Sequence, residues 1–147
     1  MRRVGLLAVL WIFGSCRVPG LLLSICLGEG GAFELHYVHS VERTPVVEVY
    51  RVRDGAIVLE GMRFRSLGWG LPLEGYVRRD GWFVVSGLGR RLGTLQVRTT
   101  RLNRHTLVVG DRTVPLAERV RDGALLELFV ARTSGCERAL QVRVAGP

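Results

Sequence analysis

Lysine is absent from the 147 residues, and all 21 basic side chains are arginine. Schiff-base chemistry and a lysine general base are thereby excluded. Aspartate is scarce too: its four residues all lie beside glycine, in Asp54-Gly55, Asp80-Gly81, Gly110-Asp111 and Asp122-Gly123, which is the chemistry of tight turns. The glutamates are therefore the carboxylates available to a site. Long apolar runs are also missing. The one candidate, Val4 to Gly14, is too short to cross a bilayer as a helix, and extending it to Leu27 would put Arg17 and Pro19 in mid-membrane. No segment holds a helical period except one turn near 116–121, and neither an internal repeat nor a low-complexity linker is present.

What is there describes a folded body. Hydrophobic residues make up 48% and charged residues 23% of the chain, close to the globular average, and the length suits one domain plus a leader. The formal net charge of +8 invites a nucleic-acid partner, yet the arginines are dispersed. Many alternate with apolar residues, as in Arg51-Val52-Arg53 and Arg63-Phe64-Arg65, the pattern of a strand's solvent face. No nucleic-acid partner is expected, whereas a weak attraction to an anionic membrane surface is compatible with this charge.

Met1-Arg2-Arg3 followed by the Val4–Gly14 run has the form of an export signal, so residues 1–16 are expected to be a signal peptide or membrane anchor and residues 20–147 the domain. Cleavage, acylation at Cys16 within Phe13-Gly14-Ser15-Cys16, and retention as an anchor all remain open. All three place the domain outside the cytosol, in the periplasm or on the outer face of the cytoplasmic membrane. Thiols there can oxidise, and once Cys16 is cleaved or acylated Cys26 and Cys136 form the only pair. They are read either as a disulfide or as two separate buried thiols.

Apolar and β-branched runs separated by glycine-containing turns predict an all-β, single-domain antiparallel sandwich or flattened barrel of about 9 to 11 short strands. The candidate strands are 21–27, 33–41, 46–53, 56–65, 76–79, 82–88, 94–100, 105–110, 112–117, 124–132 and 139–145. Gly87 to Gly93 is expected to be a surface loop. Ser66 to Pro72 carries large apolar side chains on a glycine-rich frame, which suits either a corner packed on the core or a lip over a pocket.

One constellation has chemical content. In the strand from Phe33 to Val41, His39 shares the apolar face with Phe33, Leu35 and Tyr37, and in the next strand Glu48 lies among Val46, Tyr50 and Val52. If the hairpin closes through two or four residues, Val41 faces Val46, His39 faces Glu48 and Tyr37 faces Tyr50. The Asp54-Gly55 turn then sets Gly61 opposite Glu48, with Arg63 diagonal to it. Such a pair either fixes register as a buried hydrogen bond or, with Arg63, holds a small anionic ligand. Two ligands do not fill a metal's coordination sphere, so neither a metal nor a cofactor is expected. Ser40 projects to the opposite face from His39, and no nucleophile elbow is present, which speaks against a serine hydrolase.

The segments from Phe33 to Tyr50 and from Arg63 to Pro72 together resemble the bacterial domain-of-unknown-function family 1850. The matching motif positions are His39, Ser40, Glu42, Thr44, Pro45, Glu48, Gly68, Gly70 and Pro72. Trp69 departs from the pattern, being bulky where a small residue is expected. The resemblance implies a small exported or membrane-tethered protein, often encoded beside TAXI-type TRAP transporters, and an accessory role near solute uptake. It also implies partners in the transporter's membrane subunit or solute-binding protein, with no established reaction. Ligand contacts are expected at His39, Ser40, Glu42, Glu48, Arg63, Gly68 and Gly70. A binding module is the favoured class. A hydrolase-like enzyme using His39 and Glu48 as an acid/base pair, or a purely structural envelope protein, are the alternatives.

Overall fold

Strands form where apolar and polar residues alternate, because one face of each can leave water while the backbone pairs with a neighbour. The computed structural model describes residues 19–146. The leader of residues 1–16, with its cleavage and Cys16 acylation alternatives, lies outside the described residues. In chain order the strands are β1 (Leu21–Cys26), β2 (Ala32–Val38), β3 (Pro45–Arg53), β4 (Ala56–Phe64), β5 (Val77–Arg79), β6 (Trp82–Leu92), β7 (Thr94–Arg98), β8 (Thr106–Val109), β9 (Arg112–Pro115), β10 (Leu125–Thr133) and β11 (Cys136–Val144). A single 3-10 turn, Leu116–Glu118, follows β9, where one helical turn is expected from the sequence.

The strands build two antiparallel sheets, one of four strands in the order β1-β11-β10-β7 and one of seven in the order β5-β6-β4-β3-β2-β8-β9. The expected β-sandwich is thus the observed architecture. Between the sheets lie Phe33, Leu35, Tyr50, Phe64, Leu126, Leu128 and Leu140, each at most 2% exposed. The expected tight turns form where glycine and aspartate supply positive φ: Asp54 and Gly55 sit at 50° and 71°, Asp80 and Gly81 at 50° and 77°.

Three local expectations are overturned. β2 stops at Val38, so the β2–β3 connection is the six residues 39–44, and Leu35, not His39, pairs with Glu48. Tyr37 consequently lies opposite Val46, and Phe33 opposite Tyr50. In β4 the register slips between Leu59 and Gly61: Tyr50 pairs with Leu59 but Val49 with Gly61, leaving Glu60 as an extra residue. Gly61 therefore does not face Glu48, which lies opposite Met62. Finally, Gly87 to Gly93 is not a free loop. β6 continues to Leu92, and the residues between Ser86 and Arg90 bulge opposite Glu60, with Gly87 and Gly89 at φ of 70° and 61°.

The pairings define two ends. At one, the Asp54-Gly55 and Gly110-Asp111 turns lie with the disulfide that joins Cys26 to Cys136 across a sequence separation of 110 residues. At the other lie the 39–44 connection, the long 65–76 segment and the 99–105 loop. That loop bridges the two sheets, with Thr99 N–H donating to Ala124 and Val38 N–H donating to Asn103. β1 also begins at this end, Leu21 pairing with Arg143.

Closing so long a loop covalently restricts the unfolded chain. Cys26→Ser/Cys136→Ser is expected to lower unfolding free energy by up to about 4 to 5 kcal/mol on the chain-entropy account, measured by urea titration against the oxidised domain.

Candidate functional site

His39 is buried, 8% exposed, but it serves the loop rather than a partner on β3. Its Nδ1 accepts the N–H groups of Val41 at 3.3 Å and Glu42 at 3.1 Å, and its Nε2 donates to the Trp69 carbonyl at 2.9 Å. Two backbone donors on Nδ1 leave the single proton of a neutral ring on Nε2, which fits a carbonyl acceptor. The loop closes further through His39 N–H to Thr44 and Arg43 N–H to His39, with Arg43 at φ 56°. Such side-chain bonding to nearby amides competes with a strand ladder, which is why β2 ends one residue before His39.

This ring ties the 39–44 connection to the 65–76 segment. A Cβ at Gly68 would come within 2.6 Å of Glu42 Cγ, so the glycine lets Glu42 fold over it. Leu71 is 7% exposed within the core and Tyr76 meets Phe83 edge-on at 4.9 Å, whereas Trp69, two residues before Leu71, is 87% exposed. The Ser66–Pro72 segment is therefore a corner anchored by Leu71 that holds Trp69 in solvent. Ser40 and Gly70 are exposed, and Gly70 has φ 80°. Of the sequence-predicted site residues, His39, Ser40, Glu42, Gly68 and Gly70 come together here, and Glu48 and Arg63 do not.

Glu48 sits on the inner face of the larger sheet and takes two phenols: Tyr37 O–H donates to Oε1 at 3.0 Å and Tyr50 O–H to Oε2 at 2.6 Å. Burial, reinforced by the Glu48 charge, pushes both phenols above their ordinary range. Tyr37 also lies 5.1 Å, centroid to centroid, from the ring of His105, which is 8% exposed with no partner on Nδ1. Burial holds the His105 imidazole down at about 4.

Arg63 is on the opposite, outward face. Its Nη2 reaches Glu34 through contacts of 3.3 and 3.4 Å, while Glu34 Oε2 accepts His36 Nε2 at 2.6 Å. The Arg63 Nε is buried without a hydrogen-bond partner, and the guanidinium carbon stands 6.0 Å from the Trp82 ring. Two shallow grooves, of about 730 and 360 Å³, run along this face and both include Arg63. The larger is floored by Val49, Gly61, Val84 and Ser86 and reaches Glu60 and Arg91. Gly61 is required there, since a Cβ would meet the Val85 carbonyl at 2.6 Å. At the far end Arg53 and Arg51 bind Glu60 at 2.6 and 2.9 Å and hold its carboxyl below the usual range.

Sequence reasoning missed the junction of Glu34 and His36 with Arg63. The alternation of β2 with the even spacing of β4 carries that signal only once the bulge at Glu60 is known. Among the described residues, no group of three or more His, Cys, Asp or Glu is placed to hold a metal ion, and no helix is long and apolar enough to cross a membrane.

Two antiparallel sheets, a histidine-clamped loop end and an arginine-centred trough define a β-sandwich domain. The family model for DUF1850, a domain of unknown function, matches residues 33–116, and the chain belongs to that family. No curated protein and no solved structure matches it.

His105 yields a pH test. Above about pH 6.5 it is neutral in both folded and unfolded chains; between there and about 4 the unfolded chain takes a proton that the native state refuses, so stability falls with falling pH. The loss approaches about 3 kcal/mol at its limit, and His105→Phe is expected to flatten this stretch of the urea-midpoint profile. At neutral pH, Glu48→Ala strands two buried phenols and is expected to cost about 2 to 4 kcal/mol, measured the same way.

Proposed function

We propose that this domain is an exported binding module, accessory to a TRAP-type solute uptake system, whose outward trough takes a carboxylate-bearing ligand over Arg63. The observation that carries the reading is the state of that guanidinium. It lies in both grooves, and its grip on Glu34, through Nη2 alone, is long. Guanidinium and carboxylate ordinarily pair through two short parallel bonds, so the fork retains donor capacity for an incoming anion. Arg53 and Arg91 also line the larger groove, paired with Glu60 and Asp54, and the valine floor suits the apolar body of an organic acid.

The cellular setting rests on what the family resemblance implies, small exported proteins often encoded beside TAXI-type TRAP transporters. In this reading the module works in the periplasm or on the outer membrane face, beside the transporter's membrane subunit or solute-binding protein. His39 and Glu48 serve architecture, because every ring nitrogen and carboxylate oxygen they own is already engaged.

Calorimetric titration with a panel of mono- and dicarboxylates, and with the solute-binding protein of a neighbouring transporter, tests the reading. Arg63→Ala is expected to weaken carboxylate binding about ten- to hundredfold, the worth of a charged hydrogen bond, with an unchanged circular dichroism spectrum. Glu34→Gln, which loosens the internal competitor, is expected to tighten it. Binding that survives Arg63→Ala undiminished refutes the trough.

A further inference from the structure

Seven large apolar side chains of the described residues are exposed, and five of them, Val41 (64%), Leu67 (40%), Trp69 (87%), Leu73 (72%) and Leu102 (43%), belong to the connections at the end where β1 begins. We propose that this end docks onto the surface of an anionic lipid bilayer, with Trp69 and its apolar neighbours entering the headgroup boundary. The inference does not depend on the trough, which lies on the outward sheet face.

Three observations select a bilayer as the occupant. First, the chain reaches this end directly from the apolar run. Only residues 15–20 separate Gly14 from Leu21, and fully extended they span roughly 20 Å. A leader held in a membrane, or an acyl chain on Cys16, therefore keeps this end, and not the disulfide end, beside the lipid. Second, the chemistry is amphipathic in the interfacial sense. A tryptophan and aliphatic side chains at loop tips stand among exposed Arg43, Arg101, Arg104 and Arg121, the combination that favours headgroup boundaries and anionic lipid. Of the acids nearby, Glu42 folds over Gly68 and exposed Asp122 accepts the Arg101 N–H at 2.7 Å. Glu74, Asp80 and Glu118 are the other exposed acids of this end.

Third, the display is built rather than accidental. One imidazole fixes both tips at once, binding the Val41 amide and the Trp69 carbonyl. Phe64 and Leu71, both in the core, anchor the segment on either side of the tryptophan. Ordering a loop to keep its indole in water costs conformational entropy with no return in burial, whereas insertion recovers the hydrophobic free energy of the ring and its neighbours.

The test uses the full chain carrying Trp11→Phe, reconstituted in vesicles of phosphatidylcholine and phosphatidylglycerol doped with brominated phosphatidylcholine. Tryptophan emission is expected to shift to the blue and to be quenched, and most of the quenching to vanish when Trp69→Phe is added, leaving only half-buried Trp82 beneath the Arg65 guanidinium on the outward sheet face. Replacing phosphatidylglycerol with phosphatidylcholine, or neutralising Arg43 and Arg101 with glutamine, is expected to reduce it. Circular dichroism confirms that these exposed substitutions leave the fold intact. Arg63→Ala, which abolishes the trough, is expected to leave the quenching unchanged. Quenching that is equal with and without Trp69 overturns the proposal. So does a Trp69 that stays unquenched in lipid and shifts only when transporter protein is added, which would assign this end to a protein partner.

Discussion

The imidazole of His39 decides how the larger sheet is assembled. By drawing the amides of Val41 and Glu42 onto one ring nitrogen it ends β2 and fixes a six-residue connection before β3. Register follows from connection length, because side chains alternate strictly along a strand. With Val38 against Pro45, Leu35 falls opposite Glu48 and Tyr37 opposite Val46, so that Tyr37 and Tyr50 flank the carboxylate from two strands. The same register lines up Glu34 and His36 on the outward face, within reach of Arg63.

A second constraint shapes that outward face. The extra residue at Glu60 turns its carboxylate to Arg51 and Arg53 and lets β6 swing around it through Gly87 and Gly89. Beyond the bulge the β4 residues are displaced by one relative to β3, which brings Arg63 opposite Val47. Without this slip Arg63 would face inward, where an unpaired guanidinium is costly to bury. Bulges of this kind re-aim side chains and deepen local twist, and here the twist opens a trough on a sheet face that is otherwise only ruffled by arginine.

Much of this was legible in residues. Alternation located every strand to within a few positions, and Asp54-Gly55 and Asp80-Gly81 announced their turns because positive φ is cheap for glycine and tolerable for aspartate. His39 misled for a definite reason. Its spacing continues the apolar alternation of Phe33, Leu35 and Tyr37, so periodicity alone extends the strand through it, whereas the ring's bonds to amides two and three residues onward have no periodic signature. Glu48 was rightly placed among apolar neighbours and wrongly partnered, since a phenol and an imidazole satisfy a carboxylate equally well until register is known. Glu60 reads as an ordinary outward residue of an alternating strand, and only the pairing on both sides exposes it as the bulge.

The edges of the sandwich narrow where recognition can occur. β5 is three residues long and ends in Arg78 and Arg79, and β9 is four residues long and begins with Arg112 and closes on Pro115. Short, charged or proline-bearing edges resist pairing with another chain's strand, so added strands are a poor route to partners at either margin of the larger sheet. The disulfide end offers two-residue turns and a covalent staple, with exposed charged side chains such as Glu29, Arg132 and Glu137 around them. The two surfaces proposed for contact, the arginine-centred trough on the sheet face and the histidine-clamped loop end, do not compete. A domain that meets lipid with its end and solute or protein with its face must have these surfaces roughly perpendicular, and in a sandwich they are so by construction, because loops cap the strands while side chains stand off the sheet.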